Sequence, residues 1–566
     1  MSQYKTPDVY VREKSILPPS VAEVATAIPA FIGYTTKVSE TDPTMAALQS
    51  TPVRITSMVE FEANFGGPYK EGFTVIPKAT GGYDIYANDG NEDNTDDTNS
   101  PLMAAKFFLH QSVSHFFANG GGACFVVSVG LAGVLGKPAQ ADYETAIDLL
   151  NKVDEVTLIS CPESIGLDAT AHYSVQNEAL DHSKSRMDRI ALVDVLMQQP
   201  PAGSSANTND ALVMRNNVTS GLQYGASYYP YLRTTMARSY DEKKVRVHLS
   251  VPVVIGEGAP YALKVFLGDA DLTDMADDYT YVAGSLTLSA SIDQVYIEHA
   301  SKLYALKGLY EVTYNATKKQ LDKQENGDVF DAAMLTYAEP SGVHTLDKLG
   351  DPSYPFSSAE IYNAVKSSLA KNYLVLPPSP AVAGVMAKTD KERGVWKAPA
   401  NVALSQVLAP SLAIDNAEQE NLNVDAISGK SINAIRTFVG KGTLVWGART
   451  LAGNDNEWRY VSVRRLFNMV EESIQKTTQF AVFEPNTPFT WLKLKTMIES
   501  YLENLWRQGA FFGESPAQAF FVNVGLGQTM TEDDINNGIM NIEIGLAAVR
   551  PAEFIVLTFS HKSLEG

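Results

Sequence analysis

Gly429, Lys430 and Ser431 have the residue types that close a phosphate-binding loop, where backbone N–H groups cradle the phosphates and a lysine reaches the outermost one. The glycine that should open such a loop falls on Val424, so the cradle is missing and a solvated turn is expected. Gly525 and Gly527 begin a dinucleotide fingerprint, but its third glycine position is Met530. Asp89, Asn91 and Asp93, and separately Asp269 and Asp271, offer carboxylate oxygens for calcium. Neither stretch supplies the glycine and the bidentate glutamate that a calcium loop needs at its sixth and twelfth positions. His110, His115, His172, His182, His299 and His344 show no HExxH pairing, and no GxSxG elbow presents a nucleophile. The expectation is a chain with no cofactor, no metal and no catalytic set, which is not an enzyme.

Cys124 and Cys161 stand in apolar, strand-like text and are expected to be buried free thiols, because a disulfide scaffold or zinc site needs more cysteines at set spacings. The formal net charge of -20 opposes binding to a phosphate backbone. No stretch offers the roughly 18 uninterrupted apolar residues of a membrane helix, so no membrane insertion is expected. The opening MSQYKTPDVYVREKS carries no signal-like apolar core, and synthesis in the cytoplasm is expected.

The 566 residues exceed the size at which one core keeps growing, so several domains are expected. Residues 1–27 read as an extended arm: Val9 and Val11 point to one side and Tyr10 to the other, Pro7 forbids a regular helix, and Pro18 and Pro19 break the arm from the next segment. From 28 to 236, strands such as PAFIGYT, ACFVVSV and RIALVDVL alternate with amphipathic helices, which predicts an α/β layer with a mostly parallel sheet. Residues 237–356 turn β-rich and read as an inserted domain. Residues 357–384 lead back, and 385–566 form a second α/β region ending in the alternating EFIVLTFS. The fold class is α/β, multidomain. In TWLKLKTMIESYLENLWRQG, Leu494, Ile498, Leu502 and Leu505 share one helical face that is assigned to the core, leaving Lys493, Lys495, Glu499 and Arg507 elsewhere.

Taken in order, YKTPDVYVRE, VATAIPAFIGYT, FFANGGGACFVVSV, SYYPYL, GVWKAPAN, INAIRTFVGKGTLVWGARTL, WRYVSVRRLFNMVEESI and RPAEFIV resemble the contractile tail sheath proteins of phages, pyocins and extracellular injection systems. The resemblance implies an inner α/β domain built from both chain ends and a subtilisin-like outer α/β domain, here without a recognisable triad. It implies a sheath subunit that polymerises around an inner tube in an extended metastable state and contracts to drive the tube through an envelope. The implied partners are further copies of the chain in a helical homopolymer of stacked six-subunit rings, the inner tube protein, and baseplate and tail terminator or cap proteins. Nucleic acid is not a direct partner. The implied location is a phage virion tail or a contractile injection particle.

Within that resemblance, Tyr4, Val9, Tyr10 and Val11 at one end and Ile555, Leu557 and Phe559 at the other are candidates for strand exchange between subunits, by backbone pairing to an open sheet edge. For the C-terminal strand an edge position within its own subunit fits equally well. Lys493, Lys495 and Arg507 are candidates to face the tube, although each fits a plain solvated charge and the 459–479 helix is an alternative. A static lattice protein and, more weakly, a subtilisin-like hydrolase are the rival functions.

Overall fold

The computed structural model describes residues 21–37, 49–77, 82–87, 106–134, 138–197, 207–248, 343–354 and 357–557, and between 251 and 337 the backbone of separate strands. Strands β1 (Pro29–Thr35), β2 (Val53–Ile55), β3 (Cys124–Leu131), β4 (Leu158–Ser160), β5 (Ile190–Asp194), β6 (Gly225–Tyr229), β7 (Val402–Ala403), β8 (Asn433–Phe438) and β9 (Gly442–Val445) form one sheet. Its order is β2-β3-β1-β4-β5-β6-β8-β9-β7. The six strands from β3 to β8 run parallel, and β2, β9 and β7 are antiparallel additions at the edges.

A parallel sheet is covered on both faces, so its strands are apolar nearly without interruption. Ala30, Ile32 and Tyr34 of β1 enter one core with Phe125, Val127 and Val129 of β3. Phe31, Cys124 and Val126 enter the core on the opposite face. Helix α1 (Leu109–Ala118) and helix α3 (Ser379–Arg393) cover the second face, and helix α2 (Ala169–Arg186) covers the first. Helices α1 and α3 approach closely at Gly384, where a Cβ would lie 2.5 Å from the Phe116 carbonyl oxygen. Cys124 and Cys161 are buried and free.

The sheet does not stop near residue 385: β7, β8 and β9 come from 402–445. A similar exchange occurs around the β-rich insertion. Tyr240–His248 pairs with Glu71–Pro77 on one side and Val343–Thr345 on the other. Phe73, Val75, Val245, Val247, Leu346, Leu349, Val365 and Leu369 give this layer its own core. The residues flanking the insertion thus join a module shared with upstream sequence. Inside it, strands between Val251 and Tyr337 pair antiparallel in sets of five and four.

The remaining body is built on α4 (Val461–Thr478) and α5 (Pro488–Arg507), with strands β10 (Phe520–Asn523) and β11 (Glu543–Leu546) paired beside them. Leu494, Ile498, Leu502 and Leu505 are all buried against Leu466, Val470 and Ile474 of α4, as their helical spacing predicts. Pro488 at the first position of α5 suits a helix start, since its missing N–H would have no helical acceptor there. The molecule is a mixed α/β multidomain fold.

Candidate functional site

In doubly wound α/β sheets, ligands bind outside the carboxyl ends of the strands where the strand order reverses. Here that place lies between β1 and β4, and it is filled by Glu163, which is fully buried. Glu163 Oε1 accepts from the N–H groups of Phe108 (2.5 Å) and Leu109 (2.8 Å) at the start of α1, and Oε2 accepts from Tyr34 N–H at 2.6 Å. The helix N-terminus that would otherwise attract an anion holds the protein's own carboxyl. Burial pushes that group up to about 8, against the downward pull of the three N–H donors. Gly33 is required beside it, because a Cβ there would lie 2.4 Å from Glu163 Oε2.

Next to this plug the chain assembles serine, histidine and aspartate side chains that are far apart in sequence. Ser379 donates from Oγ to Asp194 Oδ2 at 2.5 Å and from its N–H to Oδ1 at 3.1 Å, and Ser160 Oγ lies 2.9 Å from Ser379 Oγ. His172 bonds through Nε2 to the Asp194 carbonyl oxygen at 3.0 Å, and its Nδ1 lies 3.0 Å from Ser164 Oγ. A hydrolytic triad needs the imidazole between serine and carboxylate. In this cluster Asp194 bonds Ser379 directly and the imidazole faces a main-chain oxygen. Ser160, Ser164, His172 and Asp194 are fully buried and Ser379 is 1% exposed, so the group closes the start of α3 onto the sheet and presents no nucleophile. Burial pushes Asp194 up to about 7, the two Ser379 bonds pulling it down. Only the charged residue inside the apolar run IALVDVL hinted at this cluster in sequence.

The loop-like motifs resolve as structure. Lys430 is docked rather than solvated: Nζ donates to the Arg215 carbonyl oxygen, and Ser431 is fully buried with Oγ on the Asn423 carbonyl oxygen. Gly525 and Gly527 form a turn, closed by Gly527 N–H on the Met530 carbonyl oxygen at 2.9 Å. His110 lies 2.9 Å from Glu62, and His115 bonds the Ser405 carbonyl oxygen. Among the described residues no cluster of metal-ligating side chains occurs and no helix is long and apolar enough to cross a membrane. Asp89, Asn91, Asp93, Asp269 and Asp271 lie outside the described residues.

What the surface offers is a two-stranded sheet and an exposed apolar segment after it. Strands β10 and β11 pair with each other and with no third named strand among the described residues. Phe521 is 47% exposed and lies across Gly545, where a Cβ would meet its ring. Downstream, Phe554, Ile555, Val556 and Leu557 are 72%, 79%, 86% and 72% exposed and belong to no strand. These four apolar side chains are exposed in a row, and no backbone hydrogen bond joins them to another described residue. Tyr4, Val9, Tyr10, Val11 and Phe559 lie outside the described residues.

The charged candidates on α5 stand apart from the core. Lys493 Nζ sits 4.5 Å from the Phe480 ring centroid, Lys495 is 3.8 Å from Glu499, and Arg507 pairs with Glu503 at 2.5 Å. Each pair is exposed enough to contribute little to folding.

Residues 453–562, which include α4, α5, β10 and β11, match the phage tail sheath C-terminal domain. The chain is 29% identical over 138 residues to the tail sheath protein of Vibrio phage KVP40, covering 24% of this chain and 20% of that protein. It is also 29% identical over 129 residues to the tail sheath protein of Enterobacteria phage T4, covering 23% and 19%. The aligned stretch thus spans about a fifth of these phage relatives. Likeness to solved structures extends over nearly the whole chain. The helical sheath of the anti-feeding prophage in its contracted state superposes with a TM-score of 0.53 at 26% identity, covering 99% of this chain and 100% of that one. The sheath complex of the extracellular contractile injection system PVC, also contracted, gives 0.53 at 25% identity, covering 99% of each.

Proposed function

We propose that the chain is a contractile tail sheath protein, the repeating subunit of a sheath that polymerises around an inner tube and shortens to drive the tube forward. The observation that carries this reading is the end-to-end likeness to two sheaths solved in the contracted state. Its partners on this reading are further copies of itself in stacked six-subunit rings, the tube protein, and baseplate and terminator or cap proteins. It works in a phage tail or a contractile injection particle and carries out no chemistry of its own. The carboxyl plug at the sheet's switch point and the imidazole of His172, whose nitrogens are taken by the Asp194 carbonyl oxygen and Ser164, support that last part. The parallel sheet, with α1 and α3 on one face and α2 on the other, supports a subtilisin-like outer domain. The body built on α4 and α5, together with the N-terminal arm, supplies the inner domain; of the region from about 385 onward that the sequence assigns to it, 402–445 instead complete the outer sheet.

Head-to-tail contacts that do not close generate a helical polymer. Exchanged strands keep neighbours joined while rigid domains repack, so the stroke needs only two lattice states of different free energy. Burying four apolar side chains such as Phe554, Ile555, Val556 and Leu557 in a neighbour contributes roughly 6–12 kcal/mol before ordering costs. Fixing each backbone residue costs about 1–2 kcal/mol. One arm is therefore a modest bond, and the lattice holds through many. Deleting Ser2 to Arg12 is expected to leave a folded subunit that makes no long sheaths in electron micrographs; normal contractile sheaths from that variant would rule strand exchange by the N-terminal arm out.

A further inference from the structure

Among the described residues, Glu553 is the last of the C-terminal segment with a side-chain hold on its own subunit. Its two carboxylate oxygens accept four donor groups: Arg449 Nε at 2.9 and 3.1 Å, Arg449 Nη2 at 2.7 Å, Asn423 Nδ2 at 2.8 Å and Tyr460 Oη at 3.1 Å. Arg449 is 4% exposed, and its own N–H is held by Asn433 Oδ1 at 2.8 Å. Its guanidinium also donates toward the carbonyl oxygens of Asn423 and Gly453. The clamp therefore belongs to the connection from β9 to α4, where Arg449 and Tyr460 bridge. Immediately beyond it come the four exposed residues Phe554 to Leu557. Burial works against a charge on Glu553, but the bonds from Arg449 and Asn423 outweigh it and hold the carboxyl below the ordinary range, so the clamp is ionised at neutral pH.

We propose that Glu553 is the positioning residue of the C-terminal arm, fixing where the arm leaves the subunit and in which direction, so that it reaches a second copy of the chain already aimed. This rests on the reading of Phe554 onward as an exchanged strand. Without the clamp the last main-chain hold among the described residues is Val549 N–H on the Ala510 carbonyl oxygen, so residues 550–553 are released as well. Each residue freed adds conformations that docking must remove, and a pre-aimed arm avoids that cost. The clamp also moves the arm with the junction between the sheet and the helical body, which keeps the neighbour attached as those bodies repack.

The test uses the full chain with Leu557→Cys carrying a nitroxide label, since Cys124 and Cys161 are buried. In isolated subunits Glu553→Ala should raise label mobility at 557 while circular dichroism stays unchanged, and Glu553→Gln should fall between. In the unlabelled chain Glu553→Ala should raise the concentration needed for sheath growth by about tenfold, with an intermediate value for Glu553→Gln. Removal of 554–566 tests the underlying reading separately: sheaths that grow normally without those residues would end the arm exchange itself. Loss of growth on truncation, with Glu553→Ala growing like the parent or showing an unchanged label, would overturn the positioning role alone.

Discussion

Arg465 on α4 donates from Nη1 to Asp390 Oδ1 at 2.9 Å and from Nη2 to Oδ2, which ties the last turn of α3 to the helical body. The same arginine reaches the Thr26 carbonyl oxygen at 2.8 Å, and Thr26 Oγ1 donates to Asp390 Oδ2 at 2.5 Å. Helix α3 begins at Ser379, in the buried cluster on the sheet, and ends in this ion pair. It is a crossbeam between two bodies, and the segment leading in from the N-terminal arm is fastened where it ends. Both partners are almost fully buried.

Removing one partner of a buried pair strands the other charge, at about 3–5 kcal/mol. Asp390→Ala should therefore lower the urea midpoint strongly, and adding Arg465→Met should recover much of the loss by removing the stranded charge. A double variant as unstable as the single one would show that the contact matters for its shape and not for its charge.

The two plugged carboxyls predict a pH dependence. Asp194 at about 7 and Glu163 at about 8 sit above their unfolded values, so between those values the folded state holds protons that the unfolded state has lost. Stability should then fall as pH rises. His115 and His182, lowered to about 4 chiefly by burial, are neutral in both states near the top of this range. From pH 6.5 to 8 the decline should be on the order of 1–2 kcal/mol by thermal unfolding, and Asp194→Asn should flatten its lower half. An unchanged slope in that variant would remove Asp194 as the source.

The insertion has better cut points than the change of composition indicated. His248 and Val343 are direct partners in an antiparallel ladder, so a tight Asn-Gly turn can join them. Replacing residues 249–342 by that turn should preserve the core of Phe73, Val245 and Leu346 and leave polymerisation intact. A folded but non-assembling product would place the insertion in the lattice.

Cut points of this kind are invisible to composition, whereas other features are plain in the sequence. The apolar runs of β1, β3 and β5 and the heptad-like face of α5 were legible because period and burial coincide in them. The joining of β8 to β6, across some 200 residues, was not, because pairing partners leave no local trace. Glu553 is one letter of RPAEFIV; its importance lies in Asn423 and in Arg449 and Tyr460 of the β9–α4 connection, which the fold brings to it from about 90 to 130 residues upstream. The Asp194–Ser379 contact is likewise a product of the crossover.

A grip on the tube must hold register and yet release, which suits weak polar contacts. Lys493→Glu with Lys495→Glu should change monomer stability by under about 1 kcal/mol, since both are surface groups. It should reduce tube-templated assembly of extended sheath more than assembly without tube. Equal loss in both, or in neither, would turn these lysines away from the tube.

The central claim is contraction, and electron microscopy of the sheath on its tube, before and after a contraction trigger, tests it most directly. Two helical lattices of different length and width are expected, with the same number of subunits and an unchanged subunit fold. A single lattice geometry under every condition would contradict the claim.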